Sequence, residues 1–223
     1  MKSRLIRRIE RTAIGNRLLK DRRFRLILFA VLNMGWNLIY AAFNGILGIV
    51  YRSGWFGTMC AYYAALGLLK LNIVASAGKM PDARAEKRNM LKTGIGLLFL
   101  AAILAIIVTF TIANAVNREY PIAMMIGIAA FTFFMVGRAI VSAVQAHRQG
   151  VLVSIMLRNL SLASAVGSVL SLERSMLGTF GASTDRFTFV VEGVSGLAGF
   201  AIVVLLGGSM IAYFVKSVRE RDG

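Results

Sequence analysis

The chain has one cysteine, one histidine and two prolines among 223 residues. With Cys60 alone there is no intrachain disulfide and no thiolate metal cluster. With His147 alone there is no histidine-rich metal site. No Gly-rich phosphate loop, zinc-binding His/Glu motif or nucleophile elbow occurs, so the sequence assigns no catalytic residue, metal or cofactor and reads as a non-enzyme. Acid is also scarce: ten Asp and Glu stand against 26 Lys and Arg, a formal net charge of +16. Such a balance raises nucleic acid as a partner. No zinc, helix-turn-helix or RNA-binding signature accompanies it, however, and the basic residues flank apolar stretches. Anionic lipid at a membrane face is the partner that fits, and nucleic acid is excluded.

What the chain has in abundance is apolar length. It is 57% hydrophobic with a mean hydropathy of +0.70. About 26 uncharged residues lie between Arg25 and Arg52 and about 25 between Lys92 and Arg118, each enough to cross a ~30 Å hydrocarbon core. Six spans are expected, at 24–51, 54–75, 91–115, 121–144, 151–178 and 188–215. The fold class is therefore all-α, a polytopic bundle of six transmembrane helices. Residues 1–23 are expected to form a basic amphipathic helix on the membrane surface, because Leu5, Ile6, Ile9, Ala13 and Ile14 recur at helical spacing among arginines. They do not read as a signal peptide. Residues 24–215 form the membrane domain, 216–223 a cytoplasmic tail, and 76–90 a polar loop. Short connections imply that successive spans pack as antiparallel neighbours.

Orientation follows from the basic residues. Ten occupy positions 2–25, five lie in 79–92, and Lys216, Arg219 and Arg221 follow the last span. With six spans these share one side with Arg148, leaving only Arg52, Arg118 and Arg186 opposite. The rich side is cytoplasmic, so both termini are expected there.

Several polar residues interrupt the spans. Asn33, Asn37, Tyr40 and Asn44 share one narrow face of the first span. Unsatisfied amides are costly in lipid, so this stripe is either interhelical glue or one wall of a polar cavity. Ser154, Ser161, Ser164, Ser168, Ser171 and Ser175 make a hydroxyl face on the fifth span, which is expected at the centre of the bundle. Such serines return their hydroxyls to the preceding turn. Lys70, Arg138 and Arg158 lie towards the cytoplasmic ends, where long basic side chains snorkel to the interface or line a basic vestibule for an anion or lipid headgroup. Arg138, Ser142 and Gln145 share a face. Glu173 and Glu192 fall towards the outer ends of the last two spans, and a carboxylate there needs a partner or a proton. Arg174 follows Glu173 but points about 100° away around the helix, so Glu192 with Arg174 across the hairpin is the cheapest structural ion pair; the alternative is a cation or proton site. Ser195, Gly196 and Gly199 follow Glu192 as a small-residue patch, and Gly207-Gly208 offers a point at which the last helix relaxes or kinks.

At Asn37-x-x-Tyr40-Ala-x-x-Asn44-Gly45, Trp55-Phe56 with Tyr62-Tyr63, Ser171-Leu172-Glu173-x-Ser175-Met176-Leu177 and Thr179-Phe180-Gly181, the chain resembles a family of uncharacterised small multi-pass membrane proteins from anaerobic Gram-positive bacteria. The resemblance covers most of 24–215. It implies a bacterial plasma membrane and a single bundle, and it supplies no substrate; Arg174 departs from the uncharged residue typical there. The function expected is a small transporter or permease-like protein with an outer acidic site for a cation or proton, built from Glu173 and Glu192 with Asn33, Asn37, Tyr40 and Asn44. The alternative is a non-transporting accessory subunit, lipid-binding protein or sensor. Whether a second copy or another membrane protein joins it stays open.

Overall fold

The computed structural model describes residues 22–78, 83–113, 121–149, 152–180 and 185–222. They form six α-helices: α1 (Arg22–Val50), α2 (Gly54–Gly78), α3 (Ala83–Ala113), α4 (Ile122–Gln149), α5 (Leu152–Phe180) and α6 (Asp185–Asp222). Five of these, α2 to α6, are long and apolar enough to cross a membrane. The chain is thus an all-helical protein whose helices suit a bilayer. The amide-bearing α1 is not among the five. The amphipathic helix expected over 1–23 falls, but for its last two residues, outside the described residues.

Two boundaries differ from the sequence reading. Most of the loop expected at 76–90 is helix: α2 runs to Gly78 and α3 starts at Ala83. The segment Ala83-Arg-Ala-Glu-Lys-Arg is polar but rich in strong helix formers, and Glu86 in its first turn suits the helix dipole. At the other end, α6 continues through Lys216 and Arg219 to Asp222, where basic side chains favour a helix C-terminus. The tail is thus mostly a helical extension.

The α1–α2 connection is tight. Ser53 N–H donates to Gly48 O (3.0 Å) and Arg52 N–H to Ile49 O (3.3 Å), the bond pattern of a Schellman cap. Arg52 takes the left-handed conformation this cap needs, with φ 46°. A Cβ on Gly48 would sit 3.0 Å from Gly57 N, so the hairpin closes only on glycine. At the start of α4, Pro121 O accepts from Met124 N–H at 2.9 Å, and its missing N–H costs nothing there.

The closest helix pairs are α1 with α2, α3 with α6, and α4 with α5; α5 also meets α1, α2, α3 and α6. It is the central helix, as its serine face implied: 56% of its spanning window is buried, against 17% for α6. The antiparallel-neighbour rule fails once. Among the described residues α3 and α4 have no Cα atoms within 8 Å, because α6 takes the place beside α3. The α3–α6 contact rests on small residues: a Cβ on Gly94 would lie 3.0 Å from Gly207 O, and one on Gly207 equally near Gly94 O. Gly207 therefore marks a close backbone approach, and α6 runs through it as unbroken helix. Between the helices lie Tyr62, Tyr63, Leu66, Leu97, Leu100, Leu104 and Leu160, all essentially inaccessible. In lipid this core contributes dispersion and shape fit rather than transfer from water.

Candidate functional site

Two polar regions lie on different faces of α5. The first begins with Lys70 of α2, which is 0% exposed. Its ammonium donates to Asn33 Oδ1 of α1 (3.2 Å) and Ser164 Oγ of α5 (3.1 Å). The snorkelling expected of Lys70 does not occur. The side chain turns inward, because α1 and α5 cover that face of α2 and offer oxygens there.

The serines explain why those oxygens are available. Ser161 and Ser164 each donate their hydroxyl proton to the carbonyl one turn back, Leu157 O and Leu160 O, both at 2.8 Å. Their oxygens are then left as acceptors for neighbouring helices. Ser161 Oγ receives Asn33 Nδ2 (2.8 Å) and Ser142 Oγ of α4 (3.4 Å), and Ser164 Oγ receives Asn37 Nδ2 (3.3 Å). The amide stripe and the serine face are therefore one seam, linking α1, α2, α4 and α5. Tyr62 and Tyr63 add hydroxyl bonds to Ala163 O (2.9 Å) and Ser164 O (3.2 Å).

Further along, the seam becomes less satisfied. Tyr40 stacks on Phe131 of α4, centroids 3.6 Å apart, and meets the Tyr63 ring edge-on at 4.6 Å. Its hydroxyl, Ser171 Oγ and Asn37 Oδ1 are buried without a hydrogen-bond partner. Asn44 donates to Tyr40 O within its own helix (2.8 Å) and links no second helix. Of the cations, Arg138 lies with its guanidinium carbon 5.6 Å from the Phe134 ring centre, one turn along α4 from Ser142, whose hydroxyl reaches Ser161. Arg158 turns elsewhere: its Nε donates to Asn159 Oδ1 (3.2 Å), and Asn159 Nδ2 reaches Leu206 O of α6 at 3.5 Å. It does not join the seam.

The second region lies between α5 and α6. Arg174 and Glu192 form an ion pair, with Arg174 also about 6.0 Å from the Trp55 ring of α2. Glu173 points into the same place but has a different partner, accepting from Ser195 Oγ at 2.7 Å. Trp55, Glu173, Arg174, Glu192 and Ser195 line a cavity of about 20 Å³, room for one water. Trp55 Nε1 is buried without a hydrogen-bond partner. With one arginine against two glutamates, Glu173 has no cationic partner among the described residues.

The two glutamates are brought together, as the short α5–α6 connection implied. The amide stripe is not their lining: Asn33, Asn37, Tyr40 and Asn44 belong to the seam on another face of α5. Sequence reasoning took Lys70 as a snorkelling or vestibule cation, set Ser142 on the face of Arg138, and read Ser161 and Ser164 as a packing face; it did not join them. The signal for Lys70 was its lack of any nearby carboxylate. Among the described residues no group of three or more His, Cys, Asp or Glu side chains is placed to hold a metal. Compared with known proteins, the chain matches no family model, no curated protein and no solved structure.

Proposed function

We propose that the chain is a small transporter of a bacterial plasma membrane, with six spans, both termini cytoplasmic, and a proton or monovalent-cation site at Glu173. One observation carries this reading: Glu173 lies inside a membrane helix with only a serine hydroxyl as partner and a water-sized cavity before it, while its neighbour Glu192 is neutralised by Arg174. Helix packing does not require such a carboxylate, and uncompensated charge within the hydrocarbon zone is costly. A bound proton or monovalent cation offsets its single charge. The length of α1, 29 residues or about 43 Å, supports counting it as a sixth span whose amides are hidden against α2 and α5. The grouping of basic residues in 2–25, 79–92 and 216–221 supports the orientation. The same charge supports anionic lipid as the partner of the amino-terminal segment. The family resemblance supports the bacterial membrane.

The test uses purified protein in proteoliposomes loaded with a pH-sensitive dye. A pH or sodium gradient is imposed, and flux is compared between the natural chain and Glu173→Gln. Flux that drops to the level of empty vesicles in the variant, with thermal stability kept, supports the site. Undiminished flux in Glu173→Gln, or no flux in the natural chain under either gradient, rejects it. A second reading, a non-transporting accessory or lipid-binding protein, is favoured by the Arg174–Glu192 pair and by the tight packing between the two polar regions. It predicts that Glu173→Gln changes no flux and that function depends on lipid or on a partner.

A further inference from the structure

We infer that the inner end of the groove between α1 and α4 is a binding site for a phosphate group, with Lys70 at its floor and Arg138 at its mouth. Charge is the first ground. Lys70 is wholly enclosed, yet α1, α2 and α4 contain no Asp or Glu at all. The only acid of α5 is Glu173, nine residues beyond Ser164 and so about 14 Å further along the axis. In α3 the acid is Glu86, in the first turn. Among the described residues neither Lys70 nor Arg138 pairs with a carboxylate. Removing an ammonium from water costs several kcal/mol, on the order of the whole stability of many domains, unless an anion offsets the charge or the amine gives up its proton.

Hydrogen bonding is the second ground. An ammonium carries three protons. Asn33 and Ser164 take two, and both acceptors are neutral. Asn37, one turn along α1, has its Oδ1 buried and unpaired.

Access is the third ground. The α1 and α4 backbones have no Cα atoms within 8 Å of each other among the described residues. Among the described residues two ring pairs span the gap: Trp36 against Phe134 (4.9 Å between centroids) and Tyr40 against Phe131. Trp36 and Phe134 are each 40% exposed, so the Arg138 side of the gap is closed by surface rings rather than by backbone. Two cations, a planar fork on α4 and a point charge on α2, match the double charge of a phosphate monoester or of inorganic phosphate better than a single carboxylate.

The experiment measures melting temperature and binding for the detergent-purified full chain. Inorganic phosphate is one probe, phosphatidic acid in the micelle another, and phosphatidylcholine the control. The expected result is a melting temperature that rises with concentration of at least one phosphate-bearing probe and not with phosphatidylcholine. Lys70→Met and Arg138→Gln should each weaken that response by about tenfold or more, the loss of one charged hydrogen bond. A response to inorganic phosphate alone identifies a soluble anion, and a response to phosphatidic acid alone a lipid entering sideways between α1 and α4. Without ligand, Lys70→Met should melt no lower than the natural chain, because it removes an uncompensated charge and keeps the volume. Should Lys70→Met not fold, Arg138→Gln alone decides. No response to either probe, an equal response to phosphatidylcholine, or an unchanged response in the variants overturns the site. Binding is read without any flux, so the outcome is independent of the Glu173 transport test.

Discussion

The pocket between α5 and α6 predicts an asymmetry among three charged residues that stability measurements can resolve. Arg174 and Glu192 are paired with side chains 16% and 11% exposed. Exposed pairs contribute about 0.2–1 kcal/mol, and breaking a buried pair costs about 3–5. A pair that keeps this little solvent contact should cost about 2 kcal/mol when Glu192→Gln removes one partner, between those limits. Arg174→Gln should cost more. It loses the Trp55 contact, worth about 0.5–1 kcal/mol, and leaves Glu173 and Glu192 as two unbalanced carboxylates. The double variant should cost less than the sum by about 1–2 kcal/mol, the signature of a direct interaction. Glu173→Gln should behave differently. The amide oxygen still accepts from Ser195, the pocket becomes neutral, and stability should hold or rise. Equilibrium unfolding in mixed micelles, followed by tryptophan fluorescence, supplies the four corners of the cycle and the Glu173 variant. Additive Arg174 and Glu192 effects would refute the pair. A Glu173→Gln loss as large as that of Glu192→Gln would refute the distinction between a structural and an uncompensated carboxylate.

Two further outcomes follow from packing and topology. Gly94→Ala and Gly207→Ala each gain about 1 kcal/mol of helix propensity but push a methyl to 3.0 Å from a backbone oxygen, so each should be destabilising by up to about 2 kcal/mol net; Gly208→Ala, with nothing within 4 Å, should stabilise, and destabilisation by all three in a thermal-shift assay would refute the close α3–α6 approach. With Cys60 replaced, Ser183→Cys should react with an impermeant thiol reagent applied to intact cells and Ser217→Cys should not; labelling of Ser217→Cys would refute a cytoplasmic carboxyl terminus.

Helix number and limits were legible in the sequence because the bilayer leaves little else to decide. A run of apolar residues must satisfy its own backbone, so length and charge punctuation locate the helices. The two misread boundaries lie where that constraint ends. Around 83–90 and beyond 215 the residues are polar, and local helix propensity decides there. The central position of α5 was legible for the same reason: six serines on one face are poor lipid neighbours. The partnership of α3 with α6 was not. It depends on two glycines, Gly94 and Gly207, more than a hundred residues apart, and no periodicity announces which small patch will meet which.

The polar residues show the same division. Helical geometry fixed that Asn33 and Asn37 share a face and that Ser161 and Ser164 share another. It could not say that the two faces meet, nor that serines turned back onto their own carbonyls would offer acceptors to both amides and to Lys70. The lysine was assigned by its distance from the span end expected at 75, five residues or about 8 Å, which a side chain of its length can span. Depth alone sets that expectation. Direction around the helix decides the outcome, and the direction is set by α1 and α5 covering the Lys70 face. At Arg174 the angle around the helix gave the partner expected from the sequence. Its neighbour Glu173 points about 100° away around α5 and takes Ser195 instead, while Glu192, eighteen residues on, takes the arginine. The uncompensated carboxylate is therefore the one next to the arginine in the chain, and the compensated one reaches it across the hairpin.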